Sequence, residues 1–183
     1  MRLYMILLGG KPKGRLIEQH DVFFGVADTL ESLVPQLEDF WPNVKLHIDS
    51  WREVTVVDNC RITVIPKQKC VESNRQLFFF NLGGYKENDL EEFHYKVLTV
   101  ADDLSGATKT AKASSFYKYT GFKGAVSHID DKYAIDVDDV YKVVDILDSA
   151  TKAKYAIQIT PSEIPLAEDI LHIGYLPLSK LKI

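Results

Sequence analysis

The feature that most constrains this chain is self-similarity: a stretch beginning at Leu3 recurs, in order, from Leu77. Leu8-Gly9-Gly10 falls on Leu82-Gly83-Gly84, Leu16 on Leu90, Glu18 on Glu92, His20 on His94, Val26-Ala27-Asp28 on Val100-Ala101-Asp102, and Leu30 on Leu104. A short insertion around Tyr117 to Gly124 then breaks the register in the second copy. The alignment resumes with His47-Ile48-Asp49 on His128-Ile129-Asp130, Val56 on Val137, Asp58 on Asp139 and Ile65 on Ile146. Matches this ordered mark a tandem duplication, so the chain must build one small unit twice.

The pattern within a copy sets the fold class. Leu3–Leu8 and Leu77–Leu82 are short apolar runs closed by Gly-Gly, as buried strands are. A polar loop leads to a second strand, near 21–26 or 95–100. Asp28-Thr29-Leu30-Glu31 reads as a capping box. Leu30, Leu33, Val34, Leu37, Phe40 and Trp41 then recur at helical spacing, with Pro35 inside the helix where it removes a hydrogen bond. Leu104, Ala107, Thr108 and Ala111 hold the corresponding face in the second copy. Two more strands close the unit, near 46–50 and from 54 to 65 with Asp58-Asn59 as a turn. The expectation is an α+β fold: a duplicated strand-strand-helix-strand-strand unit in two pseudo-twofold-related lobes, with antiparallel or mixed sheets and helices packed on one face. The expected boundaries are 1–66 for the first unit, 67–76 for a linker, 77–148 for the second unit, and 149–183 for a strand-containing tail packed on the sheet, where it covers an edge.

Charge and cysteine content exclude several classes of function. The net charge is −4, which lacks the overall footprint of a nucleic-acid binder. Lys109, Lys112, Lys118 and Lys123, interleaved with Tyr117, Tyr119 and Phe122, could stack on bases, but the acid-rich stretch from Asp130 to Asp148 cancels that charge, which argues against a nucleic-acid partner. The two cysteines, Cys60 and Cys70, form no CxxC and read as thiols of a reducing compartment. The opening apolar run is too short for a signal peptide or a membrane span, so the expected setting is cytoplasmic, without a membrane partner.

Four of the five histidines occupy repeated positions, each two residues from a carboxylate: Glu18-x-His20, Glu92-x-His94, His47-x-Asp49 and His128-x-Asp130. Residues i and i+2 of a strand share a face, so each copy can offer two imidazoles and two carboxylates. That donor mix suits zinc, manganese or iron with room for water. The same spacing also serves a structural brace, in which the imidazole is hydrogen-bonded to its neighbouring carboxylate, or a pocket for a ligand other than a metal. Lys11, Lys13 and Arg15 follow Gly9-Gly10 and are candidates for anion binding. There is no Walker spacing, however, and the second copy carries Tyr85, Glu87 and Asp89 at the three basic positions.

These motifs resemble the bacterial family catalogued as domain of unknown function 1543, whose members often carry the unit twice. The matching residues are Gly9, Gly10, Glu18, His20, Asp21, His47 and Asp49, then Gly83, Gly84, Glu92, His94, His128 and Asp130; the second copy departs at Tyr95, where the first has Asp21. The resemblance covers most of residues 3–146. It implies a bacterial, cytoplasmic protein and brings no activity with it. With no HExxH, GxSxG or GxGxxG motif present, the sequence favours a small-molecule or protein-binding or structural module without catalysis. The alternative is a metal-dependent, hydrolase-like enzyme using the duplicated pairs. Internal pseudosymmetry leaves a homo-oligomer open.

Overall fold

Every position of Leu3–Leu8 is apolar, which suits a strand covered on both faces. In the computed structural model, which describes residues 1–85, 90–113 and 135–182, this run forms β1 (Arg2–Gly10) in the interior of a four-stranded antiparallel sheet. β2 (Gln19–Ala27) pairs on one side and β3 (Leu46–Glu53) on the other; the last strand, β10 (His172–Pro177), lies beyond β3. A 3-10 turn at Glu31–Leu33 runs into helix α1 (Val34–Phe40). Leu33 and Leu37, both fully buried, share one core with Tyr4, Ile6, Leu8 and Ile48. Each such side chain contributes roughly 1.5–3 kcal/mol on burial.

Two local expectations are corrected here. Pro35 lies in the first turn of α1 and not in its interior, where its missing N–H has no intrahelical partner to lose. Asp28 does not cap the helix; its carboxylate pairs with the N-terminal ammonium at 3.2 Å. No side chain caps the 3-10 turn or α1; the Thr29 hydroxyl accepts from the Ser32 amide at 3.4 Å.

Strands β4 (Val56–Val57) and β5 (Cys60–Pro66) form a hairpin. Its turn residues Asp58 and Asn59 have φ values of 49° and 56°, as a primed two-residue turn requires. β5 also pairs with β9 (Tyr155–Pro161), giving a second, three-stranded sheet. Both strands of the C-terminal segment therefore add to sheets begun by the first third of the chain.

The second stretch builds β6 (Gln76–Tyr85), β7 (Glu92–Ala101), helix α2 (Leu104–Lys112), β8 (Ile135–Lys142) and a short helix α3 (Val143–Ile146). Its sheet has the order β7-β6-β8, with β6 central. Asp103 caps α2, accepting from the Gly106 amide at 2.7 Å. The core of this sheet joins Phe78, Phe80 and Leu82 to Ala107 and Ala111. Larger side chains on the strand thus meet smaller ones on the helix, which keeps core volume near constant. A last helix, α4 (Ser149–Lys154), precedes β9.

The chain divides into two compact units, Met1–Val71 with Leu147–Ile183, and Glu72–Ile146. The fold is α+β, with few helices and, among the described residues, antiparallel pairing throughout. No helix among the described residues is long and apolar enough to cross a membrane. The alignment of Val56 with Val137 does not hold: Val56 belongs to the β4–β5 hairpin, whereas Val137 lies on β8 beside the central strand.

Candidate metal centre

Strand register places two histidines on either side of a residue with no side chain. Gly9 of β1 is the partner of His20 on β2 and of His47 on β3, so the three form one row across the sheet. The gap at Gly9 is used. A Cβ added there would lie 2.3 Å from His47 Nε2 and 2.6 Å from Asp49 Oδ2, distances no real Cβ tolerates. Glu18 precedes β2 and shares the His20 face by two-residue alternation.

Asp49 reaches the site through a β-bulge. In the β1–β3 ladder Leu7 pairs with Ser50 and Leu8 with Ile48, leaving Asp49 as the extra residue. On the other side of β3 the register also shifts: Gly174 and Tyr175 of β10 stand against Asp49 alone. The bulge lets both Ile48 and Trp51, three residues apart, face the core, while His47 and Asp49 face the site. Bulges re-aim side chains in this way and recur beside functional sites.

The four polar side chains meet in a ring. His20 Nε2 lies 3.3 Å from Glu18 Oε1 and 3.3 Å from Asp49 Oδ2; His47 Nε2 lies 3.3 Å from Glu18 Oε1 and 3.2 Å from Asp49 Oδ1. These contacts do not pair the inner atoms as a brace would. His47 Nε2 and Asp49 Oδ2 are both buried without a hydrogen-bond partner. An orphaned buried polar group costs about 1–3 kcal/mol. Two carboxylates aimed at one point add repulsion. A divalent cation at the centre resolves both. Bonds of about 2.0–2.1 Å at tetrahedral angles set ligand atoms roughly 3.3–3.4 Å apart, which matches the contacts of His47 with Glu18 and Asp49; the donors of these three residues lie within 4.8 Å of one another, and His20 contacts both carboxylates from beside that trio. The residues present fit a bound metal.

The surroundings are asymmetric. The His47 side chain is only 5% exposed, whereas Glu18 and His20 are 43% and 47% exposed, so one side of the ring opens to solvent. Tyr175 packs on the His47 ring at 4.3 Å between centroids. His172, the fifth histidine, lies elsewhere, stacked on Trp51 at 3.9 Å.

In the second unit Glu92, His94 and Asp138 gather, with His94 Nε2 at 3.1 Å from Asp138 Oδ2 and 3.9 Å from Glu92 Oε2. His128 and Asp130 lie outside the described residues. The strand that takes the place of β3 is β8, and its register sets Asp136 opposite Gly83, as β3 sets His47 opposite Gly9. Asp138 is the bulged residue, between the pairs Asn81–Asp139 and Leu82–Val137. Asp138 is not among the candidate site residues that the sequence offers. The signal was present: Val137 and Val140 repeat the three-residue spacing of Ile48 and Trp51 and pack on the core.

Lys11, Lys13 and Arg15 are exposed on the loop between β1 and β2 and are not part of the ring. Of the Lys-rich stretch, Lys109 and Lys112 lie on α2, while Lys118 and Lys123 fall outside the described residues.

Comparison with known proteins agrees with the family resemblance. The family model described as Domain of Unknown Function (DUF1543) matches residues 15–64, the span that carries Glu18, His20, His47 and Asp49. No curated protein matches the chain. The crystal structure of a protein Il1583 from Idiomarina loihiensis is similar over 97% of both chains, with a TM-score of 0.55 and 22% identity, a likeness of fold.

Proposed function

We propose that the first unit is a divalent-metal-binding module, with the ion held by Glu18, His20, His47 and Asp49. One observation carries this reading: His47 Nε2 is buried, has no hydrogen-bond partner, and stands 3.2–3.3 Å from two carboxylates. Two imidazoles and two carboxylates suit zinc, manganese or iron(II). Binding without catalysis is the primary reading. The exposed side of the ring, at Glu18 and His20, favours a second: a hydrolase-like site, since a metal there would polarise a carbonyl or phosphoryl oxygen, or acidify a bound water. We also infer that the two units descend from a tandem duplication. Its support is the matched order of the β2-β1-β3 and β7-β6-β8 sheets and the bulge shared at Asp49 and Asp138. The two free thiols, Cys60 and Cys70, support a cytoplasmic setting.

The test is elemental mass spectrometry on untagged protein, wild type against His47→Ala and Asp49→Asn, with circular dichroism confirming the fold. Near-stoichiometric zinc, manganese or iron, lost in both folded variants, is the expected result. Wild-type protein that neither retains nor takes up these ions would return His47 to the role of a brace. Hydrolysis of a model ester or phosphoester by the loaded wild type alone would select the enzymatic reading.

A further inference from the structure

We infer that the second unit holds a cation of its own, at Glu92, His94 and Asp138, in a donor set that matches the trio Glu18, His47 and Asp49, so that the chain binds two ions of one class. The inference rests on the metal reading of the first unit and goes beyond it, because it gives the second unit a site.

The donors match in kind and in spacing. Each unit brings together one imidazole and two carboxylates whose ligand atoms all lie within 4.8 Å of one another. In the second unit His94 Nε2 is 3.1 Å from Asp138 Oδ2 and 3.9 Å from Glu92 Oε2. These values fall on either side of the roughly 3.3–3.4 Å that separates ligand atoms around a tetrahedral ion. Two carboxylates turned to one point repel each other, and a cation between them converts that repulsion into attraction. A brace between His94 and Asp138 would need no third donor at the same point. One nitrogen and two oxygens suit zinc, manganese or iron(II) in either unit.

The backbone that positions the donors is repeated as well. Gly83 is the partner of His94, as Gly9 is of His20. A Cβ at Gly83 would lie 2.3 Å from Asp138 Oδ2 and 2.7 Å from Glu92 Oε1, so this glycine too is the floor on which donor atoms rest. Asp138 comes from a bulge in β8, as Asp49 comes from a bulge in β3. What differs is the strand that supplies the imidazole of the trio. In the first unit it is β3, through His47; in the second it is β7, the counterpart of β2, through His94. The two sites therefore share a donor set although their imidazoles come from opposite sides of the central strand.

The test is calorimetric titration of metal-free full-length protein with zinc chloride and, separately, manganese chloride. Wild type is compared with His47→Ala, His94→Ala, Asp138→Asn and the double variant His47→Ala/His94→Ala, with circular dichroism confirming each fold. The expected result with either ion is two equivalents bound by wild type, one by each single variant and none by the double variant. Asp138→Asn, which changes shape least, keeps the test intact should His94→Ala fail to fold. One equivalent in wild type, abolished by His47→Ala and kept by His94→Ala and Asp138→Asn, would overturn the second site and leave the first standing. One equivalent abolished by His94→Ala and kept by His47→Ala would do the reverse. Two equivalents that survive in both His94→Ala and Asp138→Asn would place the second ion elsewhere and overturn this assignment. No binding at all would remove both readings together.

Discussion

At the scale of single residues, the informative position is Gly9, because its missing side chain is what the site occupies. Glycine inside a strand costs roughly 0.5–1 kcal/mol relative to alanine, so Gly9→Ala carries an intrinsic gain in the backbone. It carries a loss at the site, since the new Cβ would lie 2.3 Å from His47 Nε2 and the imidazole must turn away. We expect metal-free Gly9→Ala to melt within a few degrees of wild type while its zinc affinity falls at least about 10-fold. Wild-type affinity in the alanine variant would mean that the ring tolerates a displaced His47 and that the glycine serves only the strand. The orphaned His47 Nε2 makes a second prediction. Binding to the native state alone stabilises by about 2.7 kcal/mol at a free ligand concentration of 100 Kd. Zinc in that excess should therefore raise the melting temperature of the wild type and leave His47→Ala unmoved at the first site, which thermal melts on the two proteins will read.

At the scale of elements, what was legible and what was not divides by range. Leu3–Leu8, the Asp58-Asn59 turn and the helical spacing of Leu33 and Leu37 are local patterns, and each marks its element. The pairing of His47 with Asp49 was also readable, from two-residue alternation. The bulge that delivers Asp49 was not, because a bulge is a relation between two strands and leaves only the i, i+3 apolar pair Ile48 and Trp51 as its trace. His128 and Asp130 lie outside the described residues, whereas Asp138 holds in β8 the bulge position that Asp49 holds in β3. Caps are less legible, since Asp28 pairs with the N-terminal ammonium instead of capping the first helix, while Asp103 caps α2. Asp148 caps α4, accepting from the Thr151 amide at 2.9 Å. Burial alone would raise its carboxyl pKa, but bonds from the Thr151 side chain and from nearby backbone amides override that and hold it below the ordinary aspartate value. A depressed folded value places the contribution of this cap above the unfolded pKa of about 3.9 and removes it as pH falls through the lower, folded value. Asp148→Ala should cost about 1 kcal/mol near neutral pH and progressively less in acid, as urea melts at a series of pH values will show. A cost independent of pH would mean that the carboxylate charge is not what caps the helix.

At the scale of the whole molecule, the C-terminal segment completes the first unit, and one aspartate fastens it. Asp169 has a side chain only 2% exposed. It accepts from the Thr55 and Val56 amides at 3.1 Å and from the Thr55 hydroxyl, and it faces Arg52 at 3.9 Å. Burial pulls the Arg52 guanidinium pKa down, with Asp169 and then Glu168 opposing it, so this cation depends on its neighbours. Sequence alone shows the strands of the tail by their composition but not their partners, since β9 and β10 pair with β5 and β3, more than a hundred positions earlier at the outer strand and nearly as many at the inner. Asp169→Ala leaves two amides without an acceptor and a partly buried cation without its counter-charge. We expect a loss of about 3 kcal/mol. Asp169→Asn, which keeps an acceptor oxygen, should lose about half as much. The loss should be local to the first unit, because its two chain segments form one compact body and the second unit has its own core. Hydrogen exchange should therefore show β3 and β10 amides losing protection in Asp169→Ala while β6 and β7 amides keep theirs. The tail also carries Tyr175 against the His47 ring, so the same variant should bind zinc more weakly although it alters none of the four ring residues. Unchanged affinity, with β10 amides exchanging faster, would show that the His47 ring needs no support from the tail. Lost protection in both units would show that they unfold as one.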